Sequence, residues 1–324
     1  MRRENFTNID DFFFVKENIA DETLDQCISF VARHKGVERK IVENCYKKKE
    51  ISSINLSKRL HDEVVDVIIK TKFNNDYKFI NINKSIIFYE YSESIGSSMN
   101  KFNQFNLDNI KFFPPTYTDQ GLVFQQLAKG VRFLPDNFKE NNPSLLNYIS
   151  QVTNILSSLN NHNINVSKYL KDLKIPFKSD PLNTKIINIC ILKLKKFEHK
   201  NIRMALAHGD FKFEHLFILN NQLEYLIDWE NVGLRSILFD LLNFFVPWFV
   251  NRSYNYIHIK KYVSKFIKER LPYLDDCIQE KYDLYFYAFM LERYNRLHDT
   301  RSIEFDLDSA YRRYNLLFKK LILE

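Results

Sequence analysis

Apolar positions in the last two thirds of the chain recur at helical spacing, whereas those of the first third alternate or come in short runs. Between Pro143 and Leu159, the residues Leu145, Leu146, Ile149, Val152, Ile155, Leu156 and Leu159 trace one helix face. Asp180-Pro181 reads as an N-cap with proline at the first helical position, opening a helix that runs to about Glu198. Leu241 to Val250 is an aromatic-rich helix apolar enough to be buried, and further helices are predicted near 257–270, 275–297 and 306–322. In the first third, Asp10–Val15 reads as a strand and Asp21–Arg33 as a helix. Leu56–Lys70 reads as a second helix with Leu56, Leu60, Val64, Val67 and Ile68 inward, and Tyr77–Ile82 and Ser85–Tyr91 as a strand pair. Ile110–Thr118 and Gly121–Leu127 are two more strands around Thr118-Asp119-Gln120. A last hairpin joins Leu216-Phe217-Ile218-Leu219 to Leu223-Glu224-Tyr225-Leu226-Ile227 through Asn220-Asn221-Gln222.

Composition adds bounds to this pattern. At 324 residues, with 45% hydrophobic and 27% charged positions, the chain has the make-up of a soluble globular protein large enough for two lobes. It has no apolar run of the roughly 18 residues that a membrane span needs. Its first residues, Met-Arg-Arg-Glu-Asn-Phe, lack the apolar centre of a signal peptide. Cys27, Cys45, Cys190 and Cys277 are scattered, without a Cys-x-x-Cys pair, and are expected to be reduced thiols in a cytoplasmic protein. The net charge of +7 is spread along the chain, which favours a lysine-rich surface over a dedicated anion-binding face. The densest basic stretch, Arg39-Lys40 and Lys47-Lys48-Lys49, has Tyr46 as its lone aromatic neighbour, so a nucleic-acid partner is not expected.

The chemistry is concentrated in one place. His208-Gly209-Asp210-Phe211-Lys212-Phe213-Glu214-His215 precedes the last hairpin, and Asp228-Trp229-Glu230 follows it. A hairpin returns the chain to its starting point, so Asp210 and Asp228 should lie close together. Two carboxylates so placed repel unless a cation sits between them, and Mg²⁺ is the usual one where phosphates are handled.

This spacing resembles the catalytic core of the protein-kinase-like phosphotransferases, above all the aminoglycoside phosphotransferase and choline kinase branch, whose loop has the form His-x-Asp-x-x-x-x-Asn. The resemblance spans about residues 108–300. It implies an α+β, bilobal protein-kinase-like fold with a small, divergent, β-containing N-lobe over 1–127 and a larger, mainly helical C-lobe over 128–324. It implies that Asp210 accepts the proton of an acceptor hydroxyl, that Lys212 meets the transferring phosphoryl group, that Asp228 is a metal ligand, and that Asp240 braces the loop from below. His215 stands where the family has a metal-binding Asn. An imidazole nitrogen suits Mg²⁺ poorly, so the site runs on one well-held ion, takes Mn²⁺, or has lost turnover.

The strand ending at Gln125, Gln126 and Leu127 corresponds to the hinge that holds the adenine edge of ATP. The family's phosphate-binding strand lysine has no clear counterpart. If Ser85–Tyr91 is the third strand, its place falls on Phe88, Tyr89 or Glu90; if Met99–Phe105 is, the candidate is Lys101. Ser94-Ile95-Gly96-Ser97-Ser98 is a weak candidate for a phosphate-cradling turn. The resemblance thus leads to an ATP- and metal-dependent kinase acting on a small-molecule hydroxyl of a sugar, amino alcohol or glycan precursor. The competing class is a non-catalytic scaffold on the same fold. A metallohydrolase is disfavoured, because His208 and His215 flank a loop without the helical spacing of His-Glu-x-x-His.

Overall fold

The structure is a computed structural model that describes residues 2–35, 37–48, 50–56, 60, 63–70, 77–90, 93–133, 142–173, 181–279, 281–299, 318, 319 and 321. In chain order its elements are β1 (Arg2–Asn8), β2 (Phe13–Lys16), α1 (Asp21–Lys35), α2 (Arg39–Lys47), β3 (Ile51–Leu56), β4 (Val67–Lys70), β5 (Tyr77–Asn81), β6 (Ile86–Glu90), α3 (Glu93–Gln104), β7 (Thr116–Asp119), β8 (Leu122–Gln126) and β9 (Val131–Arg132). They continue with α4 (Pro143–Ser158), β10 (His162–Asn165), α5 (Val166–Asp172), α6 (Pro181–Lys195), β11 (Asn201–Ala207), β12 (Leu216–Leu219), β13 (Gln222–Leu226), β14 (Gly233–Ser236), α7 (Phe239–Val250), α8 (Tyr256–Arg270) and α9 (Tyr282–Asp299). The chain divides into two compact units, one of residues 1–138 with 213–227, the other of 139–212 with 228–324.

The first unit is built on an antiparallel sheet of order β3-β1-β2-β4-β5-β6-β8-β7. Both faces are covered, which explains runs such as Ile86-Ile87-Phe88 that do not alternate with polar residues. Phe79, Phe88 and Phe124 stack on one face with Phe6, Leu56 and Ile68. Val67 and Ile80 lie on the other, under Ile28, Val31 and Ala32 of α1 and Val42 of α2, with Ile87 and Leu127 packed alongside. Five strands of this sheet carry a helix after the third (β4, β5, β6, α3, β7, β8), with β8 returning to pair with β6.

Three expectations for this unit are corrected. Leu56–Lys70 is not a helix: its described parts are the end of β3, Leu60 and the strand β4. The β-branched run Val64-Val65-Asp66-Val67-Ile68-Ile69 suits a strand, and Asp66 joins the sheet margin, its carboxylate accepting from the Ile82 amide at 2.8 Å. Val64, expected inward, is 48% exposed. The strand expected from Ile110 starts only at Thr116, because Pro114 and Pro115 carry no N–H for a ladder. Met99–Phe105 is not a strand, and Ser94–Ser98 not a phosphate-cradling turn; both fall largely within α3.

In the second unit β11 is the middle strand of the sheet β10-β11-β14. Its buried run Met204-Ala205-Leu206-Ala207 is what a covered central strand requires. Asn142 caps α4, its side chain accepting from the Leu145 amide. Every residue of α7 except Pro247 is buried, and Phe245 and Phe249 pack on Tyr262 of α8. The expected cap Asp180 and most of the expected helix 306–322 lie outside the described residues. The four cysteines are free thiols, Cys27, Cys190 and Cys277 buried and Cys45 half-buried. Among the described residues no helix is long and apolar enough to cross a membrane.

Gly130 closes the strand region of the first unit. Its amide donates to Glu224 Oε2 at 2.7 Å, and the neighbouring Lys129 amide donates to Glu224 Oε1 at 3.1 Å. A Cβ at Gly130 would sit 2.3 Å from the Ile218 carbonyl oxygen. Gly130→Ala should therefore push β9 away from β12 and cost about 1–3 kcal/mol, read as a lower urea midpoint; a wild-type midpoint would refute the close-approach argument.

Candidate active site

Strand pairing, more than the hairpin alone, brings the acids together. β11 and β14 are antiparallel partners with Ala207 opposite Gly233. The loop His208–Lys212 leaves the end of β11, and the turn Asp228–Val232 enters β14 beside it. Between them the hairpin β12–β13 closes through Asn220 and Asn221, both at positive φ (51° and 60°), the backbone of a two-residue type I′ turn. At its base the Ile227 amide donates to the His215 carbonyl at 3.0 Å.

Each loop residue is held individually. The His208 and Gly209 amides donate to the two carboxylate oxygens of Asp240 at 2.6 and 3.0 Å. Gly209 has φ +84°, and a Cβ there would meet the Asn231 carbonyl oxygen at 2.1 Å, so glycine is required on both counts. The Asp210 amide donates to His208 Nδ1 at 3.3 Å, and the buried His208 ring stands edge-on to Trp229 with centroids 4.7 Å apart. Phe211 is fully buried against Phe244, and Asn243 Nδ2 donates to its carbonyl at 3.1 Å. Lys212 Nζ lies 3.0 Å from Asp210 Oδ2, with the Asp210 side chain 14% and the Lys212 side chain 38% exposed.

Asp228 opens a short 3₁₀ turn in the left-handed region, φ 69° and ψ 52°, a conformation that Asp tolerates better than most side chains. His215 is buried at the end of another 3₁₀ turn. Within the second unit, Asp210 and Asp228 each offer a carboxylate oxygen within 4.8 Å of the other. Two carboxylate oxygens so close together suit a divalent cation.

The segment Gln125–Leu127 is engaged by the chain itself. The Gln126 amide donates to Pro115 and the Leu127 amide to Ser85, both at 2.9 Å. Gln125 lies in the sheet between Thr116 and Ile87. Arg33 at the end of α1 donates to the Lys129 carbonyl at 2.6 Å. The His34 ring packs against Phe13, Phe30 and Phe217. Burial, reinforced by Arg132 and Lys78 nearby, holds His34 down at about 3, so it is neutral. Lys101 sits on α3, remote in secondary structure from the strand that would make it a phosphate-binding lysine. The third strand of the pattern is β6, which contains no lysine.

Of the residues named from the sequence, the structure sets Lys212 beside Asp210, brings Asp228 near Asp210 and puts Asp240 under the loop; the sequence reading assigned nothing to Gly209, Asn231 or Asn243. Asn243 left a trace, standing three residues after Asp240 on a helix and hence on the same face.

With this geometry in hand, comparison with solved structures shows that the chain shares the fold of protein-kinase-like phosphotransferases. The structure of choline kinase LicA from Streptococcus pneumoniae superposes with a TM-score of 0.51 at 14% identity, over 81% of this chain and 96% of that one. The GDP complex of wild-type aminoglycoside 2'-phosphotransferase-IIIa gives 0.52 at 14% identity, over 82% and 98%. LicA in complex with AMP gives 0.50 at 16% identity, over 81% and 93%. The fold is thus one also seen in solved structures of a choline kinase and of aminoglycoside phosphotransferases. No protein-family model and no curated protein sequence matches the chain.

Asp240 gives the site a pH signature. Burial pushes its carboxyl up to about 6, opposed by the His208 and Gly209 amides and by Arg235. A folded-state value raised above the unfolded one means that neutral Asp240 favours the fold at low pH. That contribution is lost as pH rises from about 4 through about 6. Relative to Asp240→Asn, the wild type should lose on the order of 3 kcal/mol of stability between pH 4 and pH 7, measured as urea midpoints of both proteins at each pH. A constant difference would show that burial does not raise this group.

Proposed function

We propose that this protein is an ATP- and divalent-metal-dependent phosphotransferase that passes the γ-phosphoryl group to a hydroxyl of a small molecule: a sugar, an amino alcohol or a glycan precursor. The observation that carries this reading is the convergence of Asp210 and Asp228 within 4.8 Å on a clamped loop and turn. Asp210 orients the acceptor hydroxyl and takes up its proton at a carboxylate oxygen. Lys212, 3.0 Å from that carboxylate, offsets charge on the phosphoryl oxygens. Asp228 and His215 would hold the divalent ion, which supplies charge neutralisation on the phosphates. The Gln125–Leu127 segment would meet the adenine edge.

For the missing strand lysine, the register supports a substitute. Phe79 pairs with Phe88, so Lys78 on β5 stands opposite Tyr89 on β6, and Lys78 Nζ lies 5.8 Å from the Tyr89 ring centroid. Tyr89 occupies one of the three positions where the lysine was sought. Because Ile87 pairs with Gln125 and Tyr89 with Val123, Lys78 shares a sheet face with Gln125. In this reading a lysine from the neighbouring strand, not Lys101, serves the phosphates. Lys78→Met should weaken ATP binding about tenfold or more while AMP binding changes little, as read by calorimetric titration. An equal loss for both nucleotides would remove Lys78 from this role.

Asp210→Asn should lower phosphoryl transfer, including hydrolysis of ATP, by about 10²- to 10⁴-fold with nucleotide affinity nearly intact. Asp228→Ala should abolish the Mn²⁺- or Mg²⁺-dependence of nucleotide binding. Undiminished transfer in the first variant, or retained metal dependence in the second, would sink the corresponding role.

A second reading, a non-catalytic binding protein on the same fold, is favoured by two observations. β6 lacks a lysine, and the amides of Gln126, Leu127, Lys129 and Gly130 are bonded within the chain. Thermal melting with ATP and each metal separates the readings, since a stabilising shift supports the kinase and none under any condition supports the scaffold.

A further inference from the structure

Two side chains one turn apart on α7 grip the loop from opposite chemical directions. Asp240 accepts the amides before Asp210, and Asn243 donates to the carbonyl after it, that of Phe211. Asn243 is 4% exposed, and its carboxamide is nearly symmetric in shape but not in hydrogen bonding. Turned over, it would set oxygen against the Phe211 carbonyl oxygen. Arg293 on α9 decides the orientation: Nη1 donates to Asn243 Oδ1, and a guanidinium has no acceptor to offer the other way round. The Phe211 carbonyl belongs to the same peptide plane as the Lys212 amide, so fixing it fixes the point from which Lys212 reaches Asp210 Oδ2 at 3.0 Å.

We propose that Asn243 and Arg293 are positioning residues: Arg293 orients the Asn243 amide, which sets the Phe211–Lys212 peptide and thereby holds Lys212 against Asp210. The proposal rests on the reading of Asp210 and Lys212 as the groups at the reacting phosphoryl, but its structural half stands without turnover.

The test uses the full-length protein with ATP and Mg²⁺ or Mn²⁺, reading phosphoryl transfer to water as ATP hydrolysis, together with amide hydrogen exchange. In Asn243→Asp the side chain still accepts from Arg293 but, ionised, cannot donate to Phe211; in Arg293→Met the orienting donor is gone. Both should lower kcat about 10- to 100-fold with KM for ATP within twofold, the range expected from misplacing a reacting group by about 1 Å. Both should also speed exchange across residues 208–212 at least tenfold while α7 stays protected. Arg293→Lys, which keeps a donor, should restore part of kcat.

Unchanged kcat and unchanged loop exchange in both variants would overturn the proposal, as would a fall in kcat matched by faster exchange throughout the protein. If the wild type transfers no phosphoryl group at all, the kinase reading fails, and the exchange pattern alone then upholds or overturns the positioning role.

Discussion

A buried carboxylate facing two backbone amides is the interaction on which the site depends. The peptide groups of His208 and Gly209 lie beyond the last β11–β14 pair, where no strand remains to accept from them. Buried amides without acceptors are costly, and Asp240 supplies the acceptors that a longer strand would have supplied. It does so with a charge that must itself be sheltered. Arg235 eases that burden and also attenuates the effect of burial on Glu292. Glu292 in turn accepts from the Ser236 amide and hydroxyl, both at 2.7 Å, and so ties the end of β14 to α9. One set of buried charges therefore secures both chain segments that carry the acids.

Within that frame, side-chain identity is fixed by close approach. Gly209 brings its backbone against the Asn231 carbonyl, so the Asp210 loop and the Asp228 turn touch through main chain, where no rotamer can relax. Trp229 fills the remaining side against His208. Peptide geometry and rings thus hold the segments that bear two like charges close together.

The first unit works under a different constraint. A sheet covered on both faces leaves few positions for charge, and Lys78, Arg33 and His34 are drawn to the same side as the hinge segment. His34 answers the shortage of water by staying neutral beside Arg132, whose Nη2 is 3.5 Å from its Nε2. Glu224 answers it by taking two amides at once. The polar groups of the hinge are thus engaged from three directions, by α1, by β13 and by the sheet.

Sequence by itself determined the hairpin, the long helices α4 and α7 and the paired acids, while the place of Asp240 beneath the loop was implied by the family resemblance. Those features are local: turn residues, helical periodicity, and acids at fixed offsets from a glycine and a histidine. It misjudged Leu56–Lys70, where apolar spacing fits a helix face and a buried strand equally well, and it offered no element for β11, because a short covered strand has no period. Which strand precedes α3, and hence that Lys78 and not Lys101 stands opposite Tyr89, was decided only by sheet register. The same holds for Gly209 against Asn231 and for Arg293 reaching Asn243. These are contacts between segments far apart in the chain, and only the folded packing brings them within bonding distance.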